Sequence, residues 1–126
     1  MLSGCRVLVV EDEPLVAEHI TTVLTEAEAD VVGPIPTVAE ARQLLRNGLR
    51  VGAAVLDINL RDGPATPLLE TLTARGIPTV VYTGAGLPEL MHRRHPEMVA
   101  LIKPVQPARL ITEIKRAMRK PIGALK

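Results

Sequence analysis

Aromatic side chains are almost missing from this chain of 126 residues: it has no Phe and no Trp, and Tyr82 is its one aromatic. Its core has to be built from Leu, Val, Ile, Ala and Met, and no platform exists on which bases of a single-stranded nucleic acid could stack. Cysteine is nearly absent too. Cys5 alone allows neither a disulfide framework nor a cysteine metal cluster, which suits a reducing cytosol. Lys and Arg number 15 against 14 Asp and Glu, so the net charge of +1 gives no global field to steer the protein to DNA or a membrane. No apolar stretch approaches a membrane span, and Met1-Leu2-Ser3-Gly4 lacks the basic and apolar regions of a signal peptide. A cytoplasmic location is expected, with no direct nucleic-acid or membrane binding.

Five apolar runs rich in β-branched residues alternate with segments of helical period, the pattern of consecutive βαβ units. The strands are read at about Cys5 to Val10, Asp30 to Pro34, Ala53 to Asp57, Ile77 to Tyr82 and Met98 to Ile102. Pro14 opens the first helix, where its missing N–H costs nothing, and Val16, Ile20, Val23, Leu24 and Ala27 mark the buried stripe. Thr37 with Glu40 makes a capping box for a second helix, which Gly48 stops. The turn Asp62-Gly63-Pro64 precedes a third helix burying Leu68, Leu69 and Leu72, and a short fourth runs from Pro88 to Arg94. Pro107 opens a fifth with Leu110, Ile111, Ile114, Ala117 and Met118 on one face. Parallel connections are right-handed, so these units give a doubly wound three-layer sandwich, read as one domain over 1–126 with its core at about 5–120 and a tail at 121–126.

Acids stand where two strands end. Glu11, Asp12 and Glu13 follow Val7-Leu8-Val9-Val10, and Asp57 follows Ala53-Ala54-Val55-Leu56. In open parallel sheets the strand C-terminal ends form the ligand crevice, so these acids are expected to share a site. Two carboxylates about 4 Å apart repel by roughly 4 kcal/mol at an effective dielectric of 20. A hard cation such as Mg²⁺ offsets that, taking one or two carboxylates with waters and phosphate oxygens. Asp12 and Asp57 are expected as direct ligands, Glu11 through water, and the Asn59 backbone carbonyl as a further oxygen. Asp57 is the candidate nucleophile toward phosphorus. Thr83, with Gly84 beside it, and Lys103 suit the oxygens of a transferred phosphoryl group. Glu13 is read as a helix-start residue complementing the dipole. His19, His92 and His95 show no metal spacing and are read as solvated.

The pieces VLVVEDEP at 7–14, VLDINLRDG at 55–63, VVYTG at 80–84 and IKP at 102–104 resemble the receiver domain of two-component response regulators, from Val7 to about Arg119. The resemblance implies a flavodoxin-like parallel sheet of order 2-1-3-4-5 and phosphorylation of Asp57 by a sensor histidine kinase or phosphotransfer protein. It also implies Mg²⁺ dependence, a threonine-linked switch and a cis Lys103-Pro104 bond. A homodimer is left open. Receivers usually carry Tyr or Phe three residues before the lysine; here Ala100 stands there. The run Tyr82 to Gly86 resembles the Phe-Ala-Thr-Gly-Gly-Tyr signature of alphaproteobacterial single-domain regulators, with Val81, Tyr82 and Gly86 departing from it.

With no output domain after the fifth helix, output is expected through a protein partner or as a phosphate sink, from a self-modifying switch rather than a turnover enzyme. A phosphorylation-independent binding module is the alternative, for which Ala100 argues. An aspartyl-phosphate hydrolase is disfavoured, because Asn59 stands where such enzymes place a second catalytic Asp.

Overall fold

The computed structural model describes residues 2–84, 88–96 and 98–119. Five parallel strands form the sheet: β1 (Arg6–Val10), β2 (Asp30–Ile35), β3 (Ala53–Asp57), β4 (Thr79–Thr83) and β5 (Val99–Ile102). Their order is β2-β1-β3-β4-β5, the doubly wound topology expected from the sequence. The helices are α1 (Pro14–Glu26), α2 (Val38–Arg46), α3 (Thr66–Ala74), α4 (Glu89–Arg94) and α5 (Pro107–Arg119). The fourth strand begins later than its apolar run suggests, because Pro78 has no N–H to give the ladder, although its carbonyl accepts from Ala54 at 2.9 Å, and it ends one residue later, where Thr83 pairs with Ile102. The expected tail at 121–126 lies outside the described residues.

Strand parity divides the core into two layers. Val7, Val9, Val55, Val80, Tyr82 and Leu101 meet Ile20, Val23 and Leu24 of α1 with Leu110 and Ile114 of α5. Leu8, Val10, Leu56 and Val81 meet α2, α3 and Met91 of α4 on the other side. Alternate residues of β1, β3 and β4 are buried on both faces, which is why these strands read as continuous apolar runs. On α5 the expected stripe is shifted: Met118 is exposed, and Glu113 is buried instead, held by Arg109 at 3.1 Å and Arg116 at 3.4 Å. Val16 and Leu44 are half-buried rather than central.

Two local features fix the rim around the strand ends. Gly33 has φ +117°, and a Cβ there would lie 2.5 Å from the Val9 carbonyl oxygen, so only glycine fits where the β1–β2 register shifts. The start of α2 is capped twice. Glu40 N–H donates to Thr37 Oγ1 at 3.1 Å, while Val38 and Ala39 N–H donate to the Asp62 carboxylate at 2.9 and 3.1 Å. Thus the first three helical N–H groups of α2 find side-chain acceptors, one of them from the loop after β3. That loop carries a two-residue antiparallel ladder, Asn59–Leu60 against Gly63–Pro64.

Candidate functional site

The ends of β1, β3, β4 and β5 converge on one acidic pocket. Val10 lies opposite Leu56, Asp57 opposite Tyr82, and Thr83 opposite Ile102, so the residues following or ending each strand come to one edge. Glu11, Asp12 and Asp57 each bring a carboxylate oxygen within 4.8 Å of the others. Glu11 is 2 % exposed and Asp57 6 % exposed, with Asp12 half-buried above them. Such proximity of three oxygen-only donors fits a hard divalent cation, and it is costly without one.

Lys103 supplies the pocket's positive charge. Its Nζ donates to Asp57 Oδ2 at 2.9 Å and to Glu13 Oε1 at 3.0 Å, and stands 3.5 Å from Glu11 Oε1. Burial works against its charge, but the hydrogen bonds to Asp57 and Glu13, with the charges of Glu11 and Asp57, outweigh it and raise its pKa. The Lys103-Pro104 bond is cis, as the resemblance implies; Gly33-Pro34 is cis as well, without any prior signal in the sequence.

Thr83 is buried at the end of β4, and its carbonyl accepts from Lys103 N–H at 2.9 Å, tying the ends of β4 and β5 together. Gly84 is exposed, with open space where a side chain would stand. Residues 85–87, which include the Gly86 position of the resemblance, lie outside the described residues. Asn59 is exposed, and its backbone N–H donates to Asp57 Oδ1 at 3.2 Å. Ala100 is half-buried on β5, opposite Val81.

Two residues play parts that sequence reasoning missed. Glu13 is the N-cap of α1 but its side chain makes no capping bond. Its carboxylate turns to Lys103, whose ammonium is a stronger partner than the first turn of a helix dipole. Tyr82 is wholly buried, and its hydroxyl donates to Glu11 Oε1 at 2.6 Å. The other Glu11 oxygen accepts from Glu13 N–H at 2.9 Å. Burial is the largest influence on Glu11 and pushes its carboxyl up; these two hydrogen bonds pull it back, the Asp57 charge adds to the rise, and Lys103 offsets part of it. Parity was the available signal for Tyr82, since a tyrosine one residue before Thr83 lies on the opposite face of the sheet, where α1 and Glu11 begin.

The comparisons with known proteins agree with this geometry. The family model for the response regulator receiver domain matches residues 7–115. The chain is 31 % identical over 119 residues to the phyllosphere-induced regulator PhyR of Methylorubrum extorquens, covering 90 % of this chain but 43 % of that protein, less than half its length. The solution structure of SdrG from Sphingomonas melonis Fr1 is 34 % identical with TM-score 0.76, covering 90 % of this chain and 95 % of that one. A BeF3-activated conformation of SdrG, from Pseudomonas melonis Fr1, gives 34 % identity and TM-score 0.73 over 94 % and 99 % of the two chains. An acid pocket at the strand ends of a 2-1-3-4-5 sheet, together with these likenesses, makes the chain a member of the response regulator receiver domain family of two-component signalling.

Proposed function

We propose that this receiver accepts a phosphoryl group on Asp57, with Mg²⁺ held by Asp12 and Asp57 directly, by Glu11 through water and by the Asn59 carbonyl. The observation that carries the reading is the buried Asp57 carboxylate, bonded to Lys103 at 2.9 Å inside the acid cluster. Bound Mg²⁺ neutralises charge on the carboxylates and on the incoming phosphoryl oxygens. An Asp57 oxygen forms a bond to phosphorus as the donor's P–N or P–O bond breaks, giving an acyl phosphate. Lys103 offers its ammonium to a phosphoryl oxygen, and the Thr83 hydroxyl and the Gly84 backbone receive another. Buried Glu11 and exposed Glu13 keep Lys103 ionised and in place. SdrG, the 34 % identical relative, has a BeF3-activated conformation, which supports a phosphoryl-linked state here.

A sensor histidine kinase or phosphotransfer protein is the phosphoryl source, and output passes to a protein partner or drains phosphate from the kinase. The Thr83 side of the pocket, rather than an aromatic on β5, carries the switch, since Ala100 leaves no ring to turn. The test is incubation with acetyl phosphate and Mg²⁺, followed by intact mass. A metal-dependent phosphoryl adduct that Asp57→Asn abolishes is expected. Absence of any adduct in the wild-type chain would overturn the reading in favour of a phosphorylation-independent binding module.

A further inference from the structure

Tyr82 is the chain's single aromatic residue, and it stands in the acid pocket. Its ring is buried among Val9, Leu101 and Val105 on the face covered by α1 and α5, whereas Thr83, one residue on, belongs to the opposite parity. The hydroxyl reaches past the end of β1 to Glu11 Oε1 at 2.6 Å, the distance of a charge-assisted O–H···O⁻ bond. Lys103 Nζ lies 5.3 Å from the ring centroid, so the same side chain flanks the pocket's cation. Glu11 Oε1 can only accept when its carboxylate is ionised, so the short contact makes the Tyr82 hydroxyl the donor.

Glu11 would otherwise be held through one short hydrogen bond. Its Oε2 is held by Glu13 N–H at 2.9 Å, but without the tyrosine hydroxyl its Oε1 would face only Lys103, at 3.5 Å. Fewer anchors leave the carboxylate a wider swing about its terminal torsion, which is intrinsically broad for Glu. With both oxygens anchored, the carboxylate plane is fixed beside Asp12 and Asp57. We infer that Tyr82 is a positioning residue for the cation end of the pocket, its hydroxyl fixing the Glu11 carboxylate and thereby setting the affinity for Mg²⁺. This rests on the receiver reading proposed above and adds a residue to it. Groups that orient ligands of a metal typically contribute 10–100-fold to its affinity, and the lower end, about 10-fold, is expected for a hydrogen bond to a carboxylate acting through water.

The experiment is a MgCl₂ titration of the full chain, wild type and Tyr82→Phe, followed by the Glu13 and Asn59 amide resonances and without any phosphoryl donor. Phe fills the ring's volume and removes only the hydroxyl. The dissociation constant for Mg²⁺ is expected to rise about 10-fold. A purely structural tyrosine would lower the unfolding midpoint in EDTA and leave that constant unchanged, and this result overturns the inference while leaving the receiver reading intact. Wild-type protein showing no Mg²⁺ binding at all overturns both. If Tyr82→Phe does not fold, wild-type tyrosine emission decides, because the whole signal belongs to Tyr82. A saturable change with the midpoint of the amide titration supports the inference, and emission indifferent to saturating Mg²⁺ overturns it.

Discussion

The two ends of the β-sheet hold similar charged groups in opposite settings. At the C-terminal end, Glu11, Glu13 and Asp57 share Lys103, whose side chain is 18 % exposed, and a buried tyrosine completes the set. At the N-terminal end, Arg6 and Asp30 pair at 3.6 Å with both side chains largely in water, beside an open cavity of about 630 Å³ lined by Cys5, Arg50 and Met118. Charges in water are screened and separately solvated, so that pair contributes about 0–1 kcal/mol. Glu13 is exposed, but Glu11, Asp57 and Lys103 are withdrawn from water and lean on one another, so removing one of these three leaves a buried charge short of its partner. The difference shows where the fold carries electrostatic cost: not where it has most charge, but where β1 and β3 deliver acids out of a dry core.

The sharpest way to break the contrast is Lys103→Met, which keeps the stem and removes the cation. Unfolding free energy in urea with EDTA at pH 7 is expected to fall by about 3 kcal/mol, partly regained with Mg²⁺. A loss below about 1 kcal/mol would make the two ends equivalent. A smaller effect separates Glu11 from Asp62 by the sign of their pH dependence. The Glu11 carboxyl is raised above its ordinary 4.5, so the folded chain holds that proton more tightly than the unfolded one, and ionised Glu11 costs stability as pH rises from 4.5. Asp62 is held below its ordinary 3.8, by the Val38 and Ala39 N–H groups, so its contribution is present above 3.8 and lost as pH falls through the folded value. Melting in EDTA across pH 3–7 should show Glu11→Gln gaining on wild type toward neutrality, and Asp62→Asn losing there and converging in acid. Parallel curves would refute the assignment. Least of all, Arg6→Ala should shift stability by no more than about 1 kcal/mol, and less in 0.5 M salt.

Much of this was legible in the sequence because strands buried on both faces advertise themselves. The run Ala53 to Leu56 needs no partner to be read, and Asp57 after it is as conspicuous as a charge can be. Pro14, Thr37 and Gly48 mark helix ends through local backbone chemistry, which travels with the sequence. What escaped was through-space. Glu13 looks like an ordinary first-turn acid until Lys103, 90 residues away, is folded beside it. Tyr82 reaches Glu11 across 71 residues, and Asp62 caps a helix that starts 24 residues earlier. Glu113 breaks the apolar period of α5, because Arg109 and Arg116 on its own helix satisfy a carboxylate that periodicity would place near solvent.

The loop leaving Asp57 has a mechanical side. Ala65 N–H donates to the Ile58 carbonyl at 2.8 Å, so the chain between them closes into a hoop stiffened by the Asn59–Leu60 and Gly63–Pro64 ladder. At its tip Asp62 grips the first turn of α2. The hoop therefore links the backbone next to Asp57 to the first turn of α2, a helix that follows the edge strand β2, which contributes none of the pocket's named side chains.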